Sequence, residues 1–155
     1  MNAPRHATSA AVDHAEISRV AATFFAAFTS GPDSGARLDA LREVFLPQAV
    51  IVRTCGQQPT LYDVDGFIAP RRALLTSGTL THFREWEVSE RTELFGSIAQ
   101  RFSGYSKTGL QDGTPFHARG MKSLQFVRTA ARWRISAAAW DDERDGLAVA
   151  SPPLN

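Results

Sequence analysis

A small set of residues in this chain has the types and positions needed to bind a small molecule or to transfer a proton. His82 and His117 lie in segments with strand-like periodicity, and a histidine in a pocket can act as a general acid or base near neutral pH. Tyr105 falls near the end of a long predicted strand, where its ring can line a pocket and its hydroxyl can donate a hydrogen bond. These three are the predicted catalytic residues. The predicted ligand-binding residues are Arg119, Trp140 and Tyr62.

The orientation of the segment around His117 decides part of this prediction. Successive side chains of a strand point to opposite faces, so His117, Arg119 and Met121 share one face and Phe116 shares the other with Gly120. If His117 and Arg119 point inward, they form a cationic wall suited to a carboxylate or enolate. If they point outward, they lie at a rim or a dimer contact. The sequence leaves both alternatives open, because a bulge at Gly120 would reverse the register beyond it.

The acidic residues favour structural roles. Glu85 and Glu87 share a face with Phe83, and a cross-strand ion pair is the simplest interpretation of this pattern. The segment Tyr62-Asp63-Val64-Asp65-Gly66 precedes a predicted helix, and turn formation with helix capping accounts for its two carboxylates. An acid pair at the mouth of a pocket is the alternative.

Composition excludes several function classes. The 155 residues fit one domain, and 17 basic residues nearly balance 16 acidic ones, so nucleic-acid binding is not expected. The basic spots at Arg71-Arg72 and around Trp133 are interpreted as solvated surface. Cys55 is the only cysteine, and the chain has no metal-ligand spacing and no phosphate-binding or dinucleotide motif. We therefore expect no metal and no cofactor, and a cytoplasmic protein without a membrane segment.

Three helices are predicted in the first half of the chain. The apolar residues from Ile17 to Phe28 recur at helical spacing, and Asp13 with Glu16 resembles a capping box at the start of this helix. A shorter helix ends before Pro47, and a third contains Phe67 to Leu75 with Pro70 at or near its start. Residues 1–12 are predicted to be a disordered tail, 13–143 a single domain, and 144–155 a mobile tail.

Strands dominate the second half. A buried strand is predicted at 49–52, and four more near 81–90, 93–107, 115–128 and 132–141, joined by short turns that make them antiparallel. Two of these strands are long enough to need bends, for which Gly96, Gly104 and Gly120 are candidates. In the last strand, strict alternation places Trp133 and Trp140 on opposite faces. Two buried faces predict a homodimer through the β-sheet.

The order helix–helix–strand–helix followed by four antiparallel strands resembles the nuclear transport factor 2-like superfamily, also called the SnoaL-like or cystatin-like cone fold. The carriers of the resemblance are the segments 45–50 (FLPQAV), 96–99 (GSIA), 103–105 (SGY) and 132–135 (RWRI) with Trp140. The resemblance implies an α+β fold in which three N-terminal helices pack in the concave face of a strongly bent, mainly antiparallel sheet around an internal pocket.

This superfamily includes isomerases, dehydratases, cyclases and epoxide hydrolases together with non-enzymes. The stretch that resembles the isomerases' first strand has Arg53 and no carboxylate, which argues against that mechanism. The sequence thus predicts a pocket protein for a small apolar or weakly acidic ligand, which as an enzyme would be of the cyclase, dehydratase or isomerase type and use general acid–base residues. The alternative is a non-catalytic ligand-sensing or dimeric association module.

Overall fold

A computed structural model describes residues 3–130 and 132–150 of the chain. The elements in chain order are α1 (Ala3–Ala26), α2 (Ser34–Asp39), α3 (Leu41–Val44), β1 (Phe45–Arg53), β2 (Thr60–Tyr62), α4 (Val64–Thr76), β3 (Leu80–Phe95), β4 (Ile98–Gln111), β5 (Thr114–Arg128) and β6 (Trp133–Asp142). No helix among these residues is both long and apolar enough to cross a membrane.

The strands form one open sheet in the order β2-β1-β6-β5-β4-β3. Strands β1 and β6 pair in parallel, and every other neighbouring pair is antiparallel. The helices cover the concave face of this sheet and bury an aromatic core on it that includes Phe24, Phe45, Phe67 and Trp133. The predicted α+β cone with helices inside a bent sheet is confirmed.

Helix α1 begins at Ala3, so the predicted start at Asp13 is wrong and residues 3–12 are helical in the structure. The alanine-rich composition of this stretch explains the longer helix, because alanine is the best helix former. Asp13 and Glu16 do not cap the helix but bind the sheet. An Asp13 carboxylate oxygen accepts a hydrogen bond from the Trp133 indole at 3.1 Å, and Glu16 accepts one from the Trp133 amide at 2.9 Å.

Other boundaries also differ from the prediction. The second helix is divided into α2 and α3, and β2 forms in a predicted loop. Pro70 lies inside α4, whose start is capped by Asp63, which accepts a hydrogen bond from the Gly66 amide at 2.7 Å. Residues 144–147 form a turn closed by an antiparallel bridge between Arg144 and Leu147. Residues 1–2 and 151–155 of the predicted tails lie outside the described residues.

A turn at Gly96 ends β3, and a bulge at Ser136 sets which side chains of β6 face inward. Strand β3 runs through the predicted break near residue 91 and ends at a turn formed by Gly96, whose φ of 56° suits glycine. The register of β5 and β6 shifts where Ser136 is the additional residue, between the pairs Ile135 with Phe126 and Ala137 with Gln125. Because of this bulge, Trp140 shares the concave face with Trp133, and the predicted alternation in β6 is wrong.

Candidate functional site

A cavity of about 390 Å³ lies between α4, the end of α1 and the concave face of the sheet. Pockets of roughly 300–1,000 Å³ hold small molecules in other proteins. Six of the residues that line it are aromatic: Phe28, Tyr62, Phe67, Phe83, Phe116 and Trp140. Several meet edge to face, such as Phe67 with Trp140 at 5.8 Å between ring centroids, which gives the wall a fixed shape.

Basic side chains outnumber acidic ones in this wall. The basic residues are Arg53, Arg71, Lys107 and Lys122, and the acidic one is Glu85. Within the described part of the chain, Lys107 pairs with Asp142 at 3.1 Å and Lys122 with Glu85 at 3.1 Å, whereas Arg53 and Arg71 form no salt bridge. The cavity therefore carries a net positive charge inside an aromatic wall.

Lys122 is the most deeply buried of these cations. Its side chain is 5% exposed and that of Glu85 is 6% exposed. The ammonium lies 4.7 to 5.6 Å from the centroids of five aromatic rings, those of Phe24, Phe25, Phe28, Tyr105 and Trp140. Desolvation in this apolar surrounding lowers the pKa of Lys122, and the charge of Glu85 only partly opposes the shift.

Arg71 lies across the cavity from the sheet, on helix α4. Its guanidinium stacks on Phe67 at 3.7 Å from the ring centroid, and one nitrogen donates to the Phe67 carbonyl at 3.0 Å. Desolvation by burial lowers the pKa of Arg71 to about 10, which leaves it charged at neutral pH. The next residue, Arg72, faces outward and pairs with Asp39. The expectation that both arginines are solvated surface is wrong for Arg71.

Tyr105 lies behind the cavity and connects three strands. Its hydroxyl donates to the Asp142 carboxylate and lies 3.1 Å from the Asp141 carbonyl oxygen. The hydroxyl crosses β5 at Gly120, where a Cβ atom would collide with both the hydroxyl and that carbonyl. Burial and then the hydrogen bond to Asp142 raise the pKa of Tyr105. Burial alone would raise the pKa of Asp142, but the Tyr105 hydrogen bond and the charge of Lys107 outweigh it and lower that pKa.

The structure separates the predicted site residues into two groups. Tyr62 and Trp140 line the cavity, and Tyr105 packs directly behind it against Lys122. The other three face away from it. His82 is exposed at a bulge with φ of 50°, His117 bonds Ser106 through Nε2 at 2.8 Å, and Arg119 pairs with Glu143 at 3.0 Å.

The physical reason for this separation is the register of β5. Lys122 points inward, so His117 and Arg119, at odd positions of the same unbulged stretch, point outward. The outward alternative is therefore the one that the structure shows. The expected ion pairing of Glu85 and Glu87 is confirmed, with Lys122 and Arg101 as partners.

Sequence reasoning overlooked both lysines of the cavity, although composition carried a signal. The chain has 15 arginines and only two lysines, Lys107 and Lys122. Both line the same cavity. Lysine differs from arginine in its compact ammonium, whose pKa shifts readily on burial.

Comparisons with known proteins agree on the fold. No protein-family model matches the chain, and no curated protein matches it in sequence. The solved structure of the Kfla4162 protein from Kribbella flavida superposes with a TM-score of 0.72 at 18% identity, covering 87% of this chain and 93% of that one. An NTF2-like protein with a cystatin-like fold from Novosphingobium aromaticivorans gives a TM-score of 0.69 at 18% identity, with 88% and 86% covered.

A type 2 hexachlorocyclohexane dehydrochlorinase (LinA) also gives a TM-score of 0.69, at 11% identity, with 92% of this chain and 96% of that chain covered. The chain therefore has the nuclear transport factor 2-like, cystatin-like fold that its sequence predicts. Identities this low establish the fold alone.

Proposed function

We propose that the cavity binds a small molecule with a flat, apolar body and one anionic group. The observation that carries this proposal is the placement of Arg71 and Lys122, whose charged groups each lie 5.3 Å from the ring centroid of Trp140. One cation approaches from the helix layer and the other from the sheet. An aromatic acid fits between them, with its ring against the aromatic wall and its carboxylate against the cations.

The energetics favour an anion over a neutral ligand. One guanidinium nitrogen of Arg71 donates a hydrogen bond to the Phe67 carbonyl, and the guanidinium has further N–H donors. A carboxylate that accepts from a desolvated guanidinium gains a charge-assisted hydrogen bond, which is about twice as strong as a neutral one. The small apolar or weakly acidic ligand expected from the sequence is thus narrowed to an acid that is ionised at neutral pH.

Catalysis by acid–base groups remains part of the proposal, with different residues from those predicted. Glu85 and Lys122 are the titratable pair that faces the cavity, while both predicted histidines face outward. The dehydrochlorinase named above is an enzyme with this fold, which supports a reaction on a small molecule as part of the proposal. The alternative, a non-catalytic ligand-sensing module, uses the same cavity and the same cations.

Calorimetric titration with sodium benzoate tests the binding proposal. Arg71→Met keeps the length of the side chain but removes the charge, and should weaken benzoate binding about 10- to 100-fold, because a hydrogen bond to a charged group contributes roughly 1.5–3 kcal/mol. The matched control is Arg72→Met, which removes a neighbouring exposed cation and should leave the affinity within about twofold of wild type.

Benzyl alcohol provides the ligand control, since it has the same ring without the charge. Wild-type protein should bind benzoate more tightly than benzyl alcohol. Equal binding of the two ligands, or equal losses in the two arginine variants, would contradict an anion site at Arg71.

We also propose that the protein forms a homodimer through the convex face of the sheet, which faces away from the helices. Phe102, 51% exposed, lies there beside a depression lined by Met121, Ala139 and Val149. This exposed apolar patch adjoins the small-residue strand β6, which permits close approach of a second sheet. Light scattering on eluted protein should give the mass of a dimer for wild type and of a monomer for Phe102→Asp. A monomeric wild type would refute this interface.

A further inference from the structure

Lys122 is placed where a chemically active amine would be placed. Glu85 is its one hydrogen-bond partner in the described part of the chain, and the ammonium has two further N–H groups that face rings or the cavity. An arginine at this position would hold the Glu85 carboxylate with a second hydrogen bond and would not titrate. The site therefore has a lysine where a purely structural ion pair favours arginine, in a chain that uses arginine almost everywhere else.

We propose that Lys122 forms an imine with the carbonyl carbon of a small oxo acid held in the cavity, and that Glu85 relays the proton. This inference rests on the proposed function, because Arg71 must hold the carboxylate of the substrate. It adds the substrate class, an aldehyde or ketone that also carries an acid group, and it assigns the chemistry to one atom, Lys122 Nζ.

The step balances with the groups present. Glu85 takes a proton from the Lys122 ammonium, and the neutral amine adds to the carbonyl carbon. One proton then moves from the amine nitrogen to the former carbonyl oxygen, which gives a neutral carbinolamine. Glu85 then returns its proton to the carbinolamine hydroxyl, the C–O bond breaks, and water leaves as the C=N bond forms. The products are a protonated imine, water and the Glu85 carboxylate. The Lys122 nitrogen is therefore positively charged and Glu85 negatively charged both before and after the step.

The surroundings of Lys122 favour the neutral amine that this step requires. The charged groups that face it are Glu85 on β3, Lys107 on β4 and Arg71 on α4, with the Tyr105 hydroxyl on β4 behind. Two of these are cations, and both lower the pKa of Lys122 in addition to its desolvation. Lysines activated by an apolar pocket and neighbouring cations are known nucleophiles toward carbonyl groups.

Reductive trapping tests the proposal directly. The protein is incubated at pH 7 with 4-carboxybenzaldehyde and sodium cyanoborohydride, which converts an imine into a stable secondary amine, and the labelled peptide is identified by mass spectrometry. Because the chain has only two lysines, the assay compares Lys122 with Lys107 in one molecule. Lys122 should carry most of the label, since its burial against aromatic rings lowers its pKa and favours the neutral amine.

The controls separate chemistry from binding. Arg72→Met, which changes a cation outside the cavity, should keep the labelling, whereas Lys122→Arg should lose it, and thermal unfolding checks that both variants fold. Benzaldehyde, which has the carbonyl but no carboxylate, should label Lys122 at least about tenfold more slowly, because it lacks the charge-assisted hydrogen bond to Arg71.

The outcomes distinguish this inference from the function on which it rests. Benzoate binding without labelling of Lys122 overturns the imine proposal and leaves the anion site intact. Labelling of Lys107 or the N-terminus in preference to Lys122 also overturns it. Selective labelling of Lys122, competed by benzoate and slowed in Arg71→Met, supports both.

Discussion

The buried pair of Lys122 and Glu85 offers the sharpest quantitative prediction. Both side chains are almost fully buried and their charged atoms are 3.1 Å apart. Two unit charges roughly 3–4 Å apart attract by about 4–5 kcal/mol at an effective dielectric constant of about 20. Taking both charges out of water costs a comparable amount, so the net contribution of the pair to stability is expected to be near zero.

Removing one partner should therefore be far more damaging than removing both. Lys122→Met leaves the Glu85 carboxylate buried without its cation, and Glu85→Leu leaves the ammonium without its anion. Each single variant should lose about 3–5 kcal/mol of unfolding free energy, whereas the double variant should lie within about 1 kcal/mol of wild type or above it. Urea unfolding followed by tryptophan fluorescence measures all four proteins.

The exposed pair of Arg72 and Asp39 is the control for this cycle. Arg72→Met should change the unfolding free energy by about 0–1 kcal/mol, because solvent screens a surface ion pair. Two results would refute the reasoning: single variants as mild as this control, which would mean that water reaches the pair, or a double variant whose loss equals the sum of the two single losses. A double variant that is stable but no longer binds or traps ligands would show that the pair serves the site rather than the fold.

Three further predictions concern the connection between Tyr105 and strand β6. Tyr105→Phe should lower the unfolding free energy by about 1–3 kcal/mol, since it removes the buried hydrogen bond to Asp142; an unchanged urea midpoint would contradict this. Gly120→Ala should destabilise the protein by more than about 3 kcal/mol or prevent folding, because the added Cβ would collide with the backbone of β6. A Gly120→Ala protein with the circular dichroism and stability of wild type would contradict the close approach of β5 and β6 at this position. The pKa of Asp142 is lowered below 3.8 in the folded state, so its contribution to stability is present above that pH and is lost as pH falls below it; Asp142→Asn should show a weaker acid dependence, and identical acid titrations would exclude this contribution.

The helices and strands were largely predictable because their apolar periodicity is strong. The apolar stripe from Ile17 to Phe28 defines the core face of α1, and the turn at Gln111 to Thr114 joins two strands as expected. The boundaries were less predictable where tertiary contacts decide them. The local sequence predicts that Asp13 caps a helix. In the structure its carboxylate accepts a hydrogen bond from the indole of Trp133, which lies more than a hundred residues away in the sequence.

The cavity residues were harder to predict, because the face to which a strand residue points depends on whether its position in the strand register is odd or even. One additional residue at Ser136 moves Trp140 from the convex face to the cavity, and no local sequence signal marks that bulge. Arg71 and Arg72 are adjacent and chemically identical, yet only the first faces the cavity. The histidines were predicted as site residues because they titrate near neutral pH. The two lysines were identifiable only by their rarity in the chain.

A crystal structure of the protein soaked with benzoate tests the central claim most directly. We expect the ring of benzoate to lie against Trp140 and Phe67, with a carboxylate oxygen within hydrogen-bond distance of the Arg71 guanidinium or the Lys122 ammonium. Benzoate bound on the convex face alone, or a cavity that holds only water at saturating benzoate, would contradict an anion-binding cone.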